Sequence, residues 1–131
     1  MKVEHFAEAL APLLKDLGFK KQRFNWRKDL DESIAVLNVQ ISSWGDRSYY
    51  VNVGIYLKAL GEEVSPPHNR CHVQGRLSVE TPEAVAAAAQ AWFAARSNLQ
   101  ALAALHRVGG LQGNGLVFKE VVSAVSSLPA T

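Results

Sequence analysis

Hydrophobic positions along the chain follow two different periods. Val3, Phe6, Leu10, Leu13, Leu14 and Leu17 recur at three- and four-residue spacing, the signature of an amphipathic helix. Gly18 stands where a left-handed cap would end that helix, and Phe19 follows as the contact after the cap. Pro12 falls inside the pattern and predicts a kink or an early break. Between Ala35 and Leu57 the period becomes two. Ala35, Leu37, Val39 and Ile41 alternate with Ile34, Val36, Asn38, Gln40 and Ser42. Tyr49, Val51, Val53, Ile55 and Leu57 alternate with Tyr50, Asn52, Gly54 and Tyr56. Trp44-Gly45-Asp46-Arg47 reads as the turn between them. These two strands form a hairpin with one apolar face and one face rich in amide and phenol groups.

The remaining elements are read around this hairpin. Lys21 to Arg27 reads as an edge-prone first strand, since lysines suit a sheet edge. Asp29 to Glu32 forms an acidic turn before the hairpin. Lys58 to Arg70, with Gly61 and Pro66-Pro67, reads as loop. His72 to Val79 alternates again and supplies a fourth strand. Thr81-Pro82-Glu83 is a helix start, with a capping hydroxyl, a proline at the first helical position and an acid in the first turn. That helix runs to about Ala95, Ser97-Asn98 interrupts it, and Leu99, Leu102 and Leu105 carry a further helical face. Glycines 109, 110, 113 and 115 follow, and Val117, Phe118, Val121, Val122, Val125 and Leu128 then predict a last short helix, with a strand as the alternative that so many valines leave open. The order predicts an α+β fold spanning residues 1–131 as a single domain. It has an N-terminal helix, a four-stranded antiparallel sheet with one face covered by helices, and a helical C-terminal part.

Composition narrows the function classes. A net charge of +2 is too small to argue for nucleic acid on its own. The single cysteine, Cys71, excludes an internal disulfide and favours a reducing compartment. Met1 to Leu17 carries scattered acids and no secretory pattern. The longest apolar run, Ala84 to Ala95, falls short of the ~20 residues that span a bilayer. These features predict a cytoplasmic protein without a membrane segment.

The strongest chemical candidate is the open sheet face. Strand parity gathers Asn38, Gln40, Ser42, Tyr50, Asn52, Tyr56, His72, Gln74 and Arg76 there, with Trp26 assigned beside them. Amides are poor strand formers, so Asn38 and Asn52 in strand centres need a reason. A cation, amide donors and aromatic walls are what a polar ligand or a protein partner needs. The bland alternative is a solvated face. His68-Asn69-Arg70-Cys71-His72 contains zinc-ligand types, but no second cysteine stands near and strand neighbours point to opposite faces, so no metal site and no cofactor is expected. The same opposition argues against Cys71 as a nucleophile with a histidine base. Lys20, Lys21, Arg23, Arg27 and Lys28, interleaved with Phe24 and Trp26, form a basic run that suits a sheet edge or an anionic partner.

Leu17-Gly18-Phe19-Lys20-Lys21, then Phe24 and Arg27, Asn38-Val39-Gln40 with Ser42, and Val51-Asn52-Val53-Gly54-Ile55-Tyr56 resemble the bacterial domain of unknown function 4304 family. Cys71-His72 and Arg76-Leu77 resemble its later segment. The resemblance implies a small bacterial α+β domain with no assigned activity. It also places Asn38, Gln40, Asn52 and Arg76 among the family's pattern positions. The first expectation is a non-enzymatic module that binds a protein partner, such as a toxin-neutralising immunity protein, with Trp26, Tyr50, Tyr56 and Arg76 as anchors. A small-ligand binder or enzyme using His72, Arg76, Asn38 and Gln40 is the alternative. A nucleic-acid module using Lys20 to Lys28 is the third reading.

Overall fold

A computed structural model of the chain describes residues 3–41, 49–78, 80–111 and 115–128. Its centre is an antiparallel sheet of six strands in sequential order, where the sequence predicts four. The strands are β1 (Lys20–Gln22), β2 (Asn25–Asp29), β3 (Ser33–Ile41), β4 (Tyr49–Leu57), β5 (Val73–Leu77) and β6 (Leu116–Val117). The helices are α1 (Val3–Asp16), α2 (Pro82–Ala94), α3 (Leu99–Arg107) and α4 (Lys119–Ser126).

The two extra strands have local causes. Arg23 adopts a φ of 58°, which turns the chain within the predicted first strand. That strand becomes a small hairpin, pairing Lys21 with Trp26 and Gln22 with Asn25. At the other end, Leu116 and Val117 pair with Gln74 and Val73 before the last helix begins at Lys119. The predicted fourth strand is shorter than its alternation, Val73–Leu77, and Val79 lies outside the described residues. So do Ser42 and the turn Trp44-Gly45-Asp46-Arg47.

Other boundaries follow the sequence closely. Gly18, at φ 95°, closes α1, and its amide bonds the Lys15 carbonyl at 2.9 Å. Pro12 does not break α1. It is exposed, so the Glu8 carbonyl that loses an amide partner faces the solvent side. Thr81 Oγ1 accepts from the Ala84 amide at 3.2 Å and starts α2. Asn98 Oδ1 accepts from Ala101 at 2.8 Å and starts α3, so the Ser97-Asn98 interruption is a cap.

The helices cover one sheet face. Phe6, Leu10 and Leu14 of α1, Val85 and Phe93 of α2, and Val121 and Val125 of α4 are buried with Leu37, Val51, Val53 and Ile55 of the sheet. The Trp92 ring lies across Gly75, where an added Cβ would meet it at 3.0 Å. Trp26 belongs to this core. It pairs with Leu37, and only 1 % of its surface is exposed. Its assignment to the open face is therefore corrected. The turn at Arg23 sets the parity of β2, which sends Asn25 and Arg27 to the second face and Trp26 inward.

Candidate functional site

The second face is divided into a covered half and an open half. Segment 58–72, with short 3-10 turns at Lys58–Leu60 and His68–Arg70, folds back over the lower half. It buries Ile34, Val36, Tyr56 and Cys71 as a small second core. Tyr56 Oη accepts from the Glu63 amide at 3.1 Å, and Arg27 Nε donates to the Pro66 carbonyl at 2.9 Å. Gly54 permits the cover, because a Cβ there would stand 2.7 Å from both Cβ and Sγ of Cys71. Tyr56 is thus buried beneath the segment and His72 is buried at the segment's end, so neither lines an open surface.

His72 is occupied where it stands. Its Nδ1 accepts from the Leu57 amide at 2.9 Å, and its ring packs between Tyr56 and Phe118 at 4.5 and 5.7 Å. Burial lowers its pKa below the ordinary 6.5, against the opposing pull of the Leu60 backbone and of Glu120 and Glu63. Burial also lowers the pKa of His68, and the nearby Arg76 charge adds to this. Burial pushes the Cys71 thiol up to about 12, so it stays protonated and unreactive near neutral pH. Among the described residues no group of three or more His, Cys, Asp or Glu side chains could hold a metal.

These histidines predict an acid-sensitive fold. The unfolded chain takes up protons near pH 6.5, whereas the folded chain resists them until the lower native pKa. Stability is therefore complete above about 6.5 and falls as pH drops toward the native value. Asp29, held below its usual 3.8 by the Lys58 ammonium, acts only at lower pH. Urea midpoints should be lower at about pH 5.5 than at about pH 7.5, and His72→Gln should remove part of the difference. Equal midpoints in the wild-type protein at both pH values would contradict the burial of these rings.

The open half carries a connected polar row. Register places Asn25 opposite Asn38, Asn38 opposite Asn52, and Asn52 opposite Arg76, one residue from each of four adjacent strands. Arg76 Nε donates to Asn52 Oδ1 at 3.1 Å. Asn52 Nδ2 donates to Asn38 Oδ1 at 3.0 Å and to Gln40 Oε1 at 2.9 Å. Asn38 Nδ2 donates to Asn25 Oδ1 at 2.8 Å. Every bond runs the same way along the row, so each polarises the next. Asn52 is 2 % exposed, yet both ends of its amide are satisfied. This answers why poor strand formers occupy strand centres.

The row ends in an exposed cation. The Arg76 guanidinium lies 4.1 Å from the centroid of the Tyr50 ring, a cation–π contact. Its Nε is fixed by Asn52. The ion pairs among the described residues, Lys58 with Asp29 and Arg70 with Glu63, lie elsewhere and do not involve it. The structure thus brings together Asn38, Gln40, Tyr50, Asn52 and Arg76. It separates them from Trp26, Tyr56 and His72. Gln74 faces the same side but donates to the Cys71 carbonyl at 3.0 Å and serves the covering segment. Asn25 is a member that sequence reading missed. Its signal was parity, since an apolar Trp26 facing inward turns Asn25 outward.

The fold and this face define a small α+β domain built on a sequential antiparallel sheet, helix-packed on one side and half-open on the other. The family model described as domain of unknown function (DUF4304) matches residues 10–108, and the chain belongs to that family. The matched span holds the whole polar row and continues through α3. No curated protein and no solved structure matches the chain. Among the described residues no helix is long and apolar enough to cross a membrane.

Proposed function

We propose that this protein is a non-enzymatic binding module that recognises a protein partner through the open half of its second sheet face. A cytoplasmic, immunity-type role, in which the partner is a toxin held inactive, fits this reading. The observation that carries it is the presentation of Arg76. A surface arginine normally loses much side-chain freedom on binding. Here the loss is met in advance by the Asn52 bond and by stacking on Tyr50. Arg and Tyr are also residue types that dominate binding hot spots. A catalytic reading through His72 lacks such support, because that ring gives its Nδ1 to the backbone.

The test is affinity capture from the native lysate, followed by titration of the purified partner. Arg76→Ala and Tyr50→Ala should each weaken that partner by tenfold or more, about 2 kcal/mol for a hot-spot side chain. Both variants should stay folded at the titration temperature, with Arg76→Ala melting somewhat earlier because it takes the donor from the buried Asn52 oxygen. Unaltered affinity in both variants would remove this face from the account.

A further inference from the structure

We infer that the protein binds a small apolar carboxylate in a half-open groove on the helix-covered side of the sheet, with Lys28 receiving the charge. This inference is independent of the Arg76 face. The groove lies where two helices stop. Phe19 follows the end of α1, Phe93 and Ala94 close α2, and Ser97 follows it, while Lys28 and Ala35 come from the sheet. The space is about 310 Å³, at the lower end of the roughly 300–1,000 Å³ typical of small-molecule sites. A small residue keeps it open: Ala35 is the inward residue at this end of β3, whereas Leu37 and Val39 fill the core further along. The walls are held in place. Ser33 Oγ donates to the Ser97 carbonyl at 2.6 Å, and the Phe19 and Phe93 ring centroids lie 5.6 Å apart.

Lys28 sets the ligand class. It stands opposite Ala35 and so leaves the sheet on the helix-covered side. It is half-buried. Its stem passes Gly18, where an added Cβ would stand 3.3 Å from Lys28 Cε, and its Nζ lies 5.9 Å from the Phe19 ring centroid. That is the outer limit, about 6 Å, of a cation–π contact. Among the described residues no carboxylate pairs with it, since the ion pairs there join Lys58 to Asp29 and Arg70 to Glu63. A lysine that merely lays its stem over an aromatic ring needs no gap beside it. One ammonium beside apolar walls matches a monoanion with an apolar body. The body displaces water from Phe19, Phe93 and Ala35, and the carboxylate accepts charge-assisted bonds from Lys28. A phosphate monoester would bring up to about two charges against this single cation. A neutral hydrocarbon would leave the ammonium unanswered.

Calorimetric titration of the full chain with octanoate and with octanol, followed also by amide NMR, tests this. Octanoate should bind saturably and one to one, with shifts centred on residues 17–19, 28–35 and 90–97. It should bind about tenfold more tightly than octanol, the worth of a hydrogen bond to a charged group. Lys28→Met keeps the apolar stem and removes the charge, so it should erase that preference while octanol binds as before. Lys28→Arg should retain most of the preference. Ala94→Trp, at an exposed position, should fill the mouth and weaken both ligands. Arg76→Ala should bind octanoate as the wild type does, which separates this groove from the partner face. Absence of saturable binding, equal wild-type affinity for the two ligands, or an undiminished preference in Lys28→Met would overturn the inference. Shifts that spread over the surface and grow without saturation would also overturn it, as detergent-like adsorption only.

Discussion

Trp26→Ala should lower the unfolding free energy by about 3–5 kcal/mol, the usual cost of emptying a large aromatic site in a core. The indole is among the largest fully buried side chains, opposite Leu37 and against the helix layer. Lys21 Nζ sits 5.8 Å over its ring and closes the outer side. A total stability of about 5–15 kcal/mol leaves little margin for such a loss. Urea unfolding followed by far-UV circular dichroism measures it. Trp26→Phe should cost much less, because no group among the described residues bonds the indole nitrogen and a ring still fills the site. A loss below about 1 kcal/mol in the alanine variant would return Trp26 to the surface.

Asn52→Ala should be the most costly change in the polar row, at about 2–3 kcal/mol. It withdraws the acceptor of Arg76 Nε and the donor to both Asn38 and Gln40. The half-buried Asn38 oxygen then loses its bond where water has poor access. Exposed Gln40 finds water readily, so Gln40→Ala should cost only a few tenths of a kcal/mol. Comparing the two in denaturant separates a network centred on Asn52 from a row of unrelated amides. Near-equal small losses would indicate that solvent already reaches Asn52. Partner affinity should fall in Asn52→Ala as well, although Arg76 itself is intact, because the guanidinium is no longer aimed.

Much of this was legible in the sequence, and the failures are physical. Period-two alternation assigned the faces of β3 and β4 correctly, from Ala35 to Ile41 and from Tyr49 to Leu57, because each residue there obeys a single parity. Capping chemistry located the end of α1 at Gly18 and the start of α2 at Thr81, while the interruption read at Ser97-Asn98 is the cap of α3. The β1–β2 hairpin was hidden because its turn uses Arg23 at positive φ, a residue with no turn signature. That miss misplaced Trp26 and concealed Asn25. Tyr56 and His72 were given the right face, but alternation says nothing of what a distant segment lays over it. Prolines 66 and 67 marked that segment as loop without revealing that Arg27 and Tyr56 tie it down.

The asparagine row has one more consequence, for how the strands find their partners. A slip of one residue between strands is forbidden already, since it would turn the apolar face outward. A slip of two keeps every hydrophobic residue on the correct side, and alternation offers no defence against it. In such a slip Asn38 would meet Tyr50 or Gly54, Asn25 would meet Val36 or Gln40, and Asn52 would meet Gln74 or Ser78. Only in the native alignment do three amides and a guanidinium fall in one line. The row therefore acts as a vernier on the sheet, choosing among alignments that burial alone would leave nearly equal.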